Sequence, residues 1–248
     1  MAKPEWLYGI HTVAAVLKTH PERVLEIKLQ EGRDDQRLEL VQALAQQVGL
    51  PLQRVSKKSL DSQFSDANHQ GVAARCKLSQ ALDENALLTL LDRKSGPPLI
   101  LVLDSVTDPH NLGAVLRSAD AAGVDAVVTT KDKSVGLTPV VRRVAVGAAE
   151  IVPFVQVTNL ARLLKNLQDQ GVWVIGTELD EHAASLYQAD LKGPVALVMG
   201  AEGSGLRRLT RENCDQLVYI PMQGQIQSLN VSVAAGVCLF EAMRQRLA

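Results

Sequence analysis

The second half of the chain alternates short apolar runs with longer segments of helical periodicity, and this alternation restricts the fold more than any other feature. Leu99–Leu103 is an unbroken apolar run, as expected of a strand buried on both faces. Segments 111–123, 158–170 and 229–247 repeat apolar residues at helical spacing. Strands that alternate with helices predict a mainly parallel sheet with both faces covered. Further strands are predicted at 125–130, 151–157, 172–176, 195–199 and 217–220.

The first 77 residues predict a separate, smaller α/β domain. Ser56 is placed to cap a short helix that begins with two lysines. The break Ser95-Gly-Pro-Pro98 precedes the first strand of the second half. We therefore predict a domain at 1–77, a linker at 78–97 and a larger α/β domain at 98–248. Within the first domain, helices are predicted at 10–20 and 34–48, and strands at 24–29, 52–55 and 71–76.

Composition excludes several classes of protein. The net charge of -1 gives no global attraction to nucleic acid, and an aromatic content of 3% disfavours a stacking platform for RNA bases. Three scattered cysteines without a C-x-x-C pair predict no zinc site and suit a reducing compartment. The first residues lack the apolar core of a signal peptide, and no run has the length of a membrane span. We expect a cytoplasmic protein without a metal ion.

Three blocks in the second half each lie where an apolar strand gives way to glycine and polar residues. They are 108–117, 197–206 and 220–232. Open α/β sheets bind their ligands at the carboxyl ends of the strands, so we expect the blocks to meet in one site. The polar groups that would meet there are Arg117, Glu202, Ser228 and Asn230.

Each block also has a plainer interpretation. The glycines between Gly200 and Gly205 match neither the dinucleotide-binding pattern nor a P-loop, and a tight turn would use them equally well. Arg117 could form a surface ion pair with Asp120 three residues later. Ser228 could simply cap the last helix. The blocks therefore indicate a ligand site only in combination.

In this order, the three blocks closely resemble the SpoU subfamily of RNA ribose 2′-O-methyltransferases, in the SPOUT superfamily. The resemblance covers residues 99–247 and rests on N-L-G-x-x-x-R, L-V-M-G-A-E-G-x-G and I-P-M-x-G-x-x-x-S-L-N-V-S. Tyr8-Gly-Ile-His11 and His69-Gln-Gly71 resemble the accessory domain of certain members. Those members methylate a guanosine of 23S ribosomal RNA, in the P-loop of the peptidyl-transferase centre.

The resemblance implies more than the spacing does. It implies a deep trefoil knot in the second domain, S-adenosylmethionine bound in the knot loops, a homodimer with the C-terminal helix in the interface, and an RNA-binding first domain. By motif, the active-site positions are Arg117, Asn111, Glu202, Ser228 and Asn230. The implied cofactor contacts are Thr177, Gly200, Ile220, Met222 and Leu229. Val146 departs from the family pattern, where a smaller or more polar residue precedes the glycine.

The chemistry implied by the resemblance favours positioning. A ribose 2′-hydroxyl is a poor nucleophile, and in-line methyl transfer gains most from alignment. We expect Arg117 to contact the target hydroxyl or its phosphate, with Asn111 and Glu202 holding the guanidinium. Arginine stays protonated in proteins, which favours alignment, although a role as general base stays open. The candidates for phosphate contacts with RNA are Lys57, Lys58, Arg142 and Arg143.

Three alternatives stay open at the level of sequence. A sister enzyme that methylates transfer RNA or another ribosomal site would carry the same catalytic blocks. A non-catalytic RNA-binding assembly factor could use the same scaffold, but it would not need Arg117, Glu202 and Asn230 together. A dinucleotide-dependent oxidoreductase is disfavoured because the glycine fingerprint is missing.

Overall fold

The computed structural model describes residues 4–32, 35–65, 68–201, 203, 205–225 and 228–248. The chain divides into two compact units. The first comprises Met1–Ser79 together with Val146–Ile151, and the second comprises Gln80–Ala145 and Val152–Ala248. The predicted α/β class is confirmed, because each unit contains its own sheet with helices packed on it.

The first unit is built on a four-stranded sheet in the order β1-β4-β2-β3. Only β2 and β3 run parallel, and the other neighbours are antiparallel. One hydrophobic core, which includes Leu17 and Ile27, lies between the sheet and its first two helices. A smaller one, which includes Leu60 and Phe64, covers the opposite face of the sheet. The elements are β1 (Glu5–Tyr8), α1 (Ile10–Thr19), β2 (Val24–Gln30), α2 (Gln36–Gln47), β3 (Leu52–Val55), α3 (Lys57–Gln63) and β4 (Val72–Cys76).

The two short motifs of the first unit meet at the start of α1. The backbone N–H of Ile10 donates to Gln70 Oε1 at 3.1 Å, and that of Gly9 donates to the Val72 carbonyl at 3.3 Å. Gln70 has a φ of 54°, which is the left-handed backbone conformation found in tight turns. Gln70 of this segment and the adjacent Val72 therefore satisfy two backbone donors at the start of α1.

The second unit is built on a seven-stranded parallel sheet in the order β7-β6-β5-β10-β8-β11-β9. The predicted parallel sheet is thus confirmed, and the knot stays a prediction. The first six elements are α4 (Glu84–Asp92), β5 (Leu99–Leu103), α5 (Pro109–Ala121), β6 (Ala126–Thr130), α6 (Pro139–Ala145) and β7 (Phe154–Val157). The remainder are α8 (Leu160–Asp169), β8 (Trp173–Thr177), β9 (Ala184–Ser185), β10 (Val195–Met199), α9 (Arg208–Glu212), β11 (Gln216–Tyr219) and α10 (Val231–Leu247). A short helix of the first unit, α7 (Ala148–Ile151), lies between α6 and β7 in the chain.

Several elements depart from the predicted boundaries. The segment predicted as a linker contains α4, whose Leu87 is fully buried in the core of the second unit. The strand predicted from 151 begins only at Phe154, because residues 148–151 are helical and Pro153 intervenes. Val146 has a φ of 51°, a conformation that is costly for a β-branched residue. This gives a physical reason why a smaller or more polar residue is expected there.

Close packing of α5 on α6 depends on a glycine. A Cβ on Gly113 would lie 2.6 Å from the Cβ of Val144, so the helices approach at a distance that no larger residue permits. Helix α5 also packs against α10, where a Cβ on Gly236 would lie 3.8 Å from Ser118 Oγ. The motif N-L-G-x-x-x-R therefore has a structural component, because its glycine fixes the position of the helix that carries Arg117.

The last helix is tied to the rest of the second unit by its final turns. The Arg246 guanidinium donates to the carbonyls of Pro97, Pro98, Leu191 and Gly193 at 2.6–3.1 Å. These groups lie near the first residues of β5 and β10. The helix that begins at the candidate site is thereby anchored at its far end.

A carboxylate near the end of α10 predicts a pH dependence of stability. Hydrogen bonds from Arg244, and then from Gln245, lower the pKa of Glu241 to about 2. This lowered pKa contributes stability above the ordinary carboxyl pKa of 4.5, and the contribution is lost as pH falls toward about 2. We expect the unfolding free energy of the wild type to fall more steeply over that window than that of Glu241→Gln. The difference should be about 1 kcal/mol, because water screens the exposed Arg244.

Urea titrations at several pH values between 5 and 2 would measure this difference. Glu212→Gln is the matched control, since Glu212 also contacts an arginine of its own helix but is half exposed. Parallel pH profiles for the wild type and Glu241→Gln would contradict the assignment.

Candidate functional site

Three neighbouring strands of the second unit end at one cavity. The sheet places β8 between β10 and β11, all parallel, so the carboxyl ends of these strands lie side by side. Beyond them lie the glycine turn after β10, the segment after β11 and the start of α10. The cavity has a volume of about 630 Å³, within the range of small-molecule sites.

The cavity brings together most of the residues predicted from the motifs. It is lined by Thr177, Gly200, Ile220, Met222, Ser228, Leu229 and Asn230. Their wall also contains Leu179, Met199 and Val218, so much of the surface is apolar. A flat, largely apolar ring such as adenine is the kind of group that such a wall accepts. The binding roles of these residues stay predictions.

The glycine turn allows its backbone to close on itself and to border the cavity. Ala201 and Gly205 exchange two backbone hydrogen bonds of 3.0 and 3.2 Å. A Cβ on Gly200 would lie 2.3 Å from the carbonyl carbon of Gly205, which is far inside the contact limit. Gly203 and Gly205 adopt positive φ values of 79° and 63°. The turn therefore requires glycine, and its backbone is available to a ligand.

A buried aspartate supports this turn, and the sequence analysis did not single it out. Asp104 follows β5 and is fully buried. Its carboxylate accepts hydrogen bonds from the Arg207 backbone N–H at 3.0 Å and from Arg207 Nε at 2.5 Å. Its own N–H donates to the Met199 carbonyl at 2.8 Å. Asp104 thus fixes both ends of the glycine turn. In the sequence, the only feature that could have indicated this role is its position directly after the apolar run Leu99–Leu103.

The start of α10 is held by Asn230, whereas Ser228 was considered as the cap from the sequence. Asn230 Oδ1 accepts from the Ser232 backbone N–H at 2.9 Å and from Ser232 Oγ at 2.6 Å. Its Nδ2 donates to Asn111 Oδ1 at 2.9 Å. The capping interpretation of Ser228 is therefore wrong, because the cap lies two residues later, at Asn230, and α10 begins at Val231. Asn230 joins the cavity to α5 instead.

Arg117 lies on α5 but does not line the cavity. It is exposed, and within the described part of the chain it forms no ion pair, not even the one with Asp120 that helical spacing permits. Asn111 is held at the start of α5 by the Asp108 carboxylate, which caps the helix. Glu202 lies outside the described residues. The structure thus joins Asn111 to the cavity through Asn230 and leaves the Arg117 guanidinium facing solvent.

Other chemistries find little support in the described residues. Burial raises the pKa of Cys214 and of Cys238 to about 12, so neither thiol supplies a thiolate at neutral pH. Across the ranges that the structure describes, no three His, Cys, Asp or Glu side chains form a group that could hold a metal ion. No helix in that part of the chain is long and apolar enough to cross a membrane.

The fold is shared with known methyltransferases. An rRNA methyltransferase from Sinorhizobium meliloti, crystallised with AdoMet, matches with a TM-score of 0.74 and 25% identity over 99% of this chain and 88% of that one. The crystal structure of an RNA 2′-O ribose methyltransferase matches with a TM-score of 0.74 and 31% identity over 99% of this chain and 90% of that one. The fold is therefore that of a class of RNA methyltransferases.

Sequence comparison then assigns the family. The model of the SpoU rRNA Methylase family matches residues 98–240, and the model for RNA 2′-O ribose methyltransferase substrate binding matches residues 6–82. The 23S rRNA (guanosine-2′-O-)-methyltransferase RlmB of Pseudomonas putida is 56% identical over 99% of this chain and 98% of its own length. The RlmB of Vibrio vulnificus is also 56% identical, over 98% of both chains. The chain belongs to the SpoU rRNA methylase family.

Proposed function

We propose that this chain transfers a methyl group from S-adenosylmethionine to the ribose 2′-hydroxyl of a guanosine in 23S ribosomal RNA, in the peptidyl-transferase P-loop. The observation that carries the proposal is the convergence of the second and third motif blocks on one cavity, to which Asn230 joins the first block through Asn111. Similarity over essentially the whole length to two RlmB enzymes supports the substrate, since it includes the first unit as well as the second. An action on ribosomal RNA also places the protein in the cytoplasm.

The residues of the cavity fit S-adenosylmethionine. The apolar wall suits an adenine ring. At Gly200 and Gly205 the cavity is bordered by backbone, whose polar groups a ligand can approach, and a side chain on Gly200 would collide with Gly205. Thr177, Ile220 and Leu229 are the further residues that would hold the molecule. When bound, S-adenosylmethionine supplies a methyl group on a positively charged sulfur.

The chain's own residues then have to hold the acceptor ribose in line. Because Arg117 is exposed and lies outside the cavity wall, we assign it to the RNA and not to the methyl donor. Its planar guanidinium suits a phosphate or a hydroxyl oxygen, and it stabilises negative charge that develops on that oxygen. The link between Asn230 and Asn111 fixes the start of α5 against α10, and so sets where Arg117 is presented.

We propose that RNA is also held by basic side chains on each unit. Lys57 and Lys58 are exposed at the start of α3, and Arg143 is exposed on α6 beside the half-buried Arg142. Each lies on a surface helix from which a phosphate is accessible. Affinity for RNA should then fall steeply as the salt concentration rises.

A transfer assay tests the proposed function. The purified protein is incubated with S-adenosylmethionine labelled in its methyl group and with 23S ribosomal RNA from cells that lack the enzyme. We expect label in one 2′-O-methylguanosine of the peptidyl-transferase P-loop, and no label in transfer RNA. Label in transfer RNA alone would identify a sister enzyme, and no label in either RNA would identify a non-catalytic binder.

We also propose that the protein acts as a homodimer through α10. One side of this helix exposes apolar residues at intervals of seven, which places them on one face as in a helix-packing seam. Val233, Phe240 and Leu247 are 52%, 44% and 79% exposed, and Leu229 continues the row at the mouth of the cavity. A second copy of the same helix offers a complementary apolar row, as an isologous dimer requires.

Phe240→Glu should dissociate this dimer. A carboxylate in an apolar interface has to lose its hydration without gaining a partner, so we expect the dissociation constant to rise by about 100-fold or more. Sedimentation velocity over a range of concentrations would measure it. Leu25→Glu is the control, because Leu25 is equally exposed at 43% but lies in the first unit. An unchanged sedimentation coefficient for Phe240→Glu would contradict the assigned interface.

A further inference from the structure

A carboxylate in the cavity wall is used by none of the steps above. Glu178 directly follows β8, and its backbone N–H donates to the Val218 carbonyl at 3.0 Å, which fixes it between two strand ends. It lines the cavity beside Gly205. Its Oε1 atom would lie 3.2 Å from a Cβ placed on Gly205, so this oxygen faces the glycine turn across the edge of the cavity.

This carboxylate shares one cation with a second carboxylate. Glu178 Oε2 lies 3.2 Å from Arg211 Nε, and the same guanidinium also binds Asp180. Oε2 is buried and accepts no hydrogen bond from the residues that the structure describes, because the Arg211 contact lacks the required geometry. Glu178 is therefore an ion-paired acceptor with unused hydrogen-bonding capacity, and its side chain is only 21% exposed.

A carboxylate of this kind is suited to neutral hydroxyl donors. Its other oxygen, Oε1, has no ion-pair contact among the described residues, so an O–H donor can hydrogen-bond to it without displacing Arg211. An acidic side chain at the carboxyl end of a parallel strand, next to a glycine turn, binds ribose hydroxyls in dinucleotide-binding folds for the same reason. Oε1 is the acceptor available to such a hydroxyl, because it faces the glycine turn whereas Oε2 is buried against Arg211.

We propose that Glu178 binds the ribose hydroxyls of S-adenosylmethionine and so contributes to selection of the nucleoside part of the methyl donor. The proposal rests on the proposed use of this donor, and it adds one specificity-determining residue to the cavity. Arg211 acts through Glu178 as a positioning residue.

Calorimetric titration of the full-length protein with two ligands tests the proposal. The ligands are S-adenosylhomocysteine and its 2′,3′-dideoxyribose analogue, and the proteins are the wild type, Glu178→Ala and Glu181→Ala. Glu181 is 84% exposed and lies outside the cavity, which makes it the matched control. Thermal unfolding of each variant reports on folding separately from binding.

We expect the wild type and Glu181→Ala to bind the dideoxy ligand about tenfold or more weakly than S-adenosylhomocysteine, the usual loss for hydrogen bonds to a charged group. Glu178→Ala should bind both ligands equally, at the weaker affinity, because the two deletions remove the same interaction. Additive losses, or an unchanged affinity of Glu178→Ala, would overturn the proposal.

This titration and the transfer assay described above together separate the role of Glu178 from the proposed function. If the wild type binds S-adenosylhomocysteine and methylates ribosomal RNA while Glu178→Ala shows no coupling to the hydroxyls, only the role of Glu178 fails. If the wild type binds neither ligand, the use of S-adenosylmethionine fails and the role of Glu178 fails with it.

Discussion

Arg117→Ala should abolish most of the methyl transfer and leave binding of the methyl donor unchanged. The guanidinium is exposed, forms no ion pair within the described residues and lies outside the cavity wall, so its removal disturbs neither the core nor the donor site. Loss of a group that aligns an acceptor and stabilises developing negative charge typically costs about 100- to 1,000-fold in rate. Single-turnover transfer to unmodified 23S ribosomal RNA measures the rate, and calorimetry with S-adenosylhomocysteine measures the binding.

Two further variants sharpen this test. Arg117→Lys retains the charge but loses the planar, forked donor geometry, so we expect a rate between those of the wild type and Arg117→Ala. Arg93→Ala, which removes an exposed arginine after α4, should transfer methyl groups at the wild-type rate. A transfer rate of Arg117→Ala within about threefold of the wild type would show that the guanidinium takes no part, since that factor is only about 0.7 kcal/mol of the barrier.

Gly200→Ala, in contrast to Arg117→Ala, should weaken binding of the methyl donor itself. The added methyl group would lie 2.3 Å from a backbone carbon of Gly205, and backbone cannot rotate away as a side chain can. The turn has to open, and the cavity wall moves with it. We expect affinity for S-adenosylhomocysteine to fall by about 100-fold and stability to fall by about 1–3 kcal/mol, the usual cost of overpacking.

Gly193→Ala is the matched control for this substitution. A Cβ on Gly193 meets nothing within 4 Å, and this glycine lies outside the cavity. Its stability and donor affinity should remain at wild-type values. If Gly200→Ala bound the donor as tightly as Gly193→Ala, the glycine turn would not be part of the binding site.

The sequence predicted the parallel sheet of the second unit because its strands are buried on both faces and read as apolar runs. Leu99–Leu103 and Val195–Met199 have every residue buried, and both were predicted within a residue. The predictions were weaker where an element is short or half-exposed. The strand β9 has two residues, and α6 has seven, of which two are arginines. Both elements are too short to show a hydrophobic periodicity in the sequence.

For the site, the resemblance implied a set of residues of which those after β8, β10 and β11 line the cavity, whereas Arg117 and Asn111 do not, and nothing in the sequence showed how they are held. The contact between Asn230 and Asn111 joins residues 119 positions apart, and no periodicity in the chain encodes it. The contact between Asp104 and Arg207 spans 103 positions and depends on how β5 lies beside β10. Glu178 looks like an ordinary loop carboxylate in the sequence, and only the cavity and the position of Arg211 distinguish it.

The most direct test of the account is a map of ribose methylation in 23S ribosomal RNA from cells that lack this protein. Mass spectrometry of nuclease fragments from the peptidyl-transferase P-loop reports on one guanosine. We predict that its 2′-O-methyl group is absent in these cells, is restored by the wild-type chain, and is not restored by Arg117→Ala. A fully methylated guanosine in the deletion strain, or full restoration by Arg117→Ala, would contradict the account.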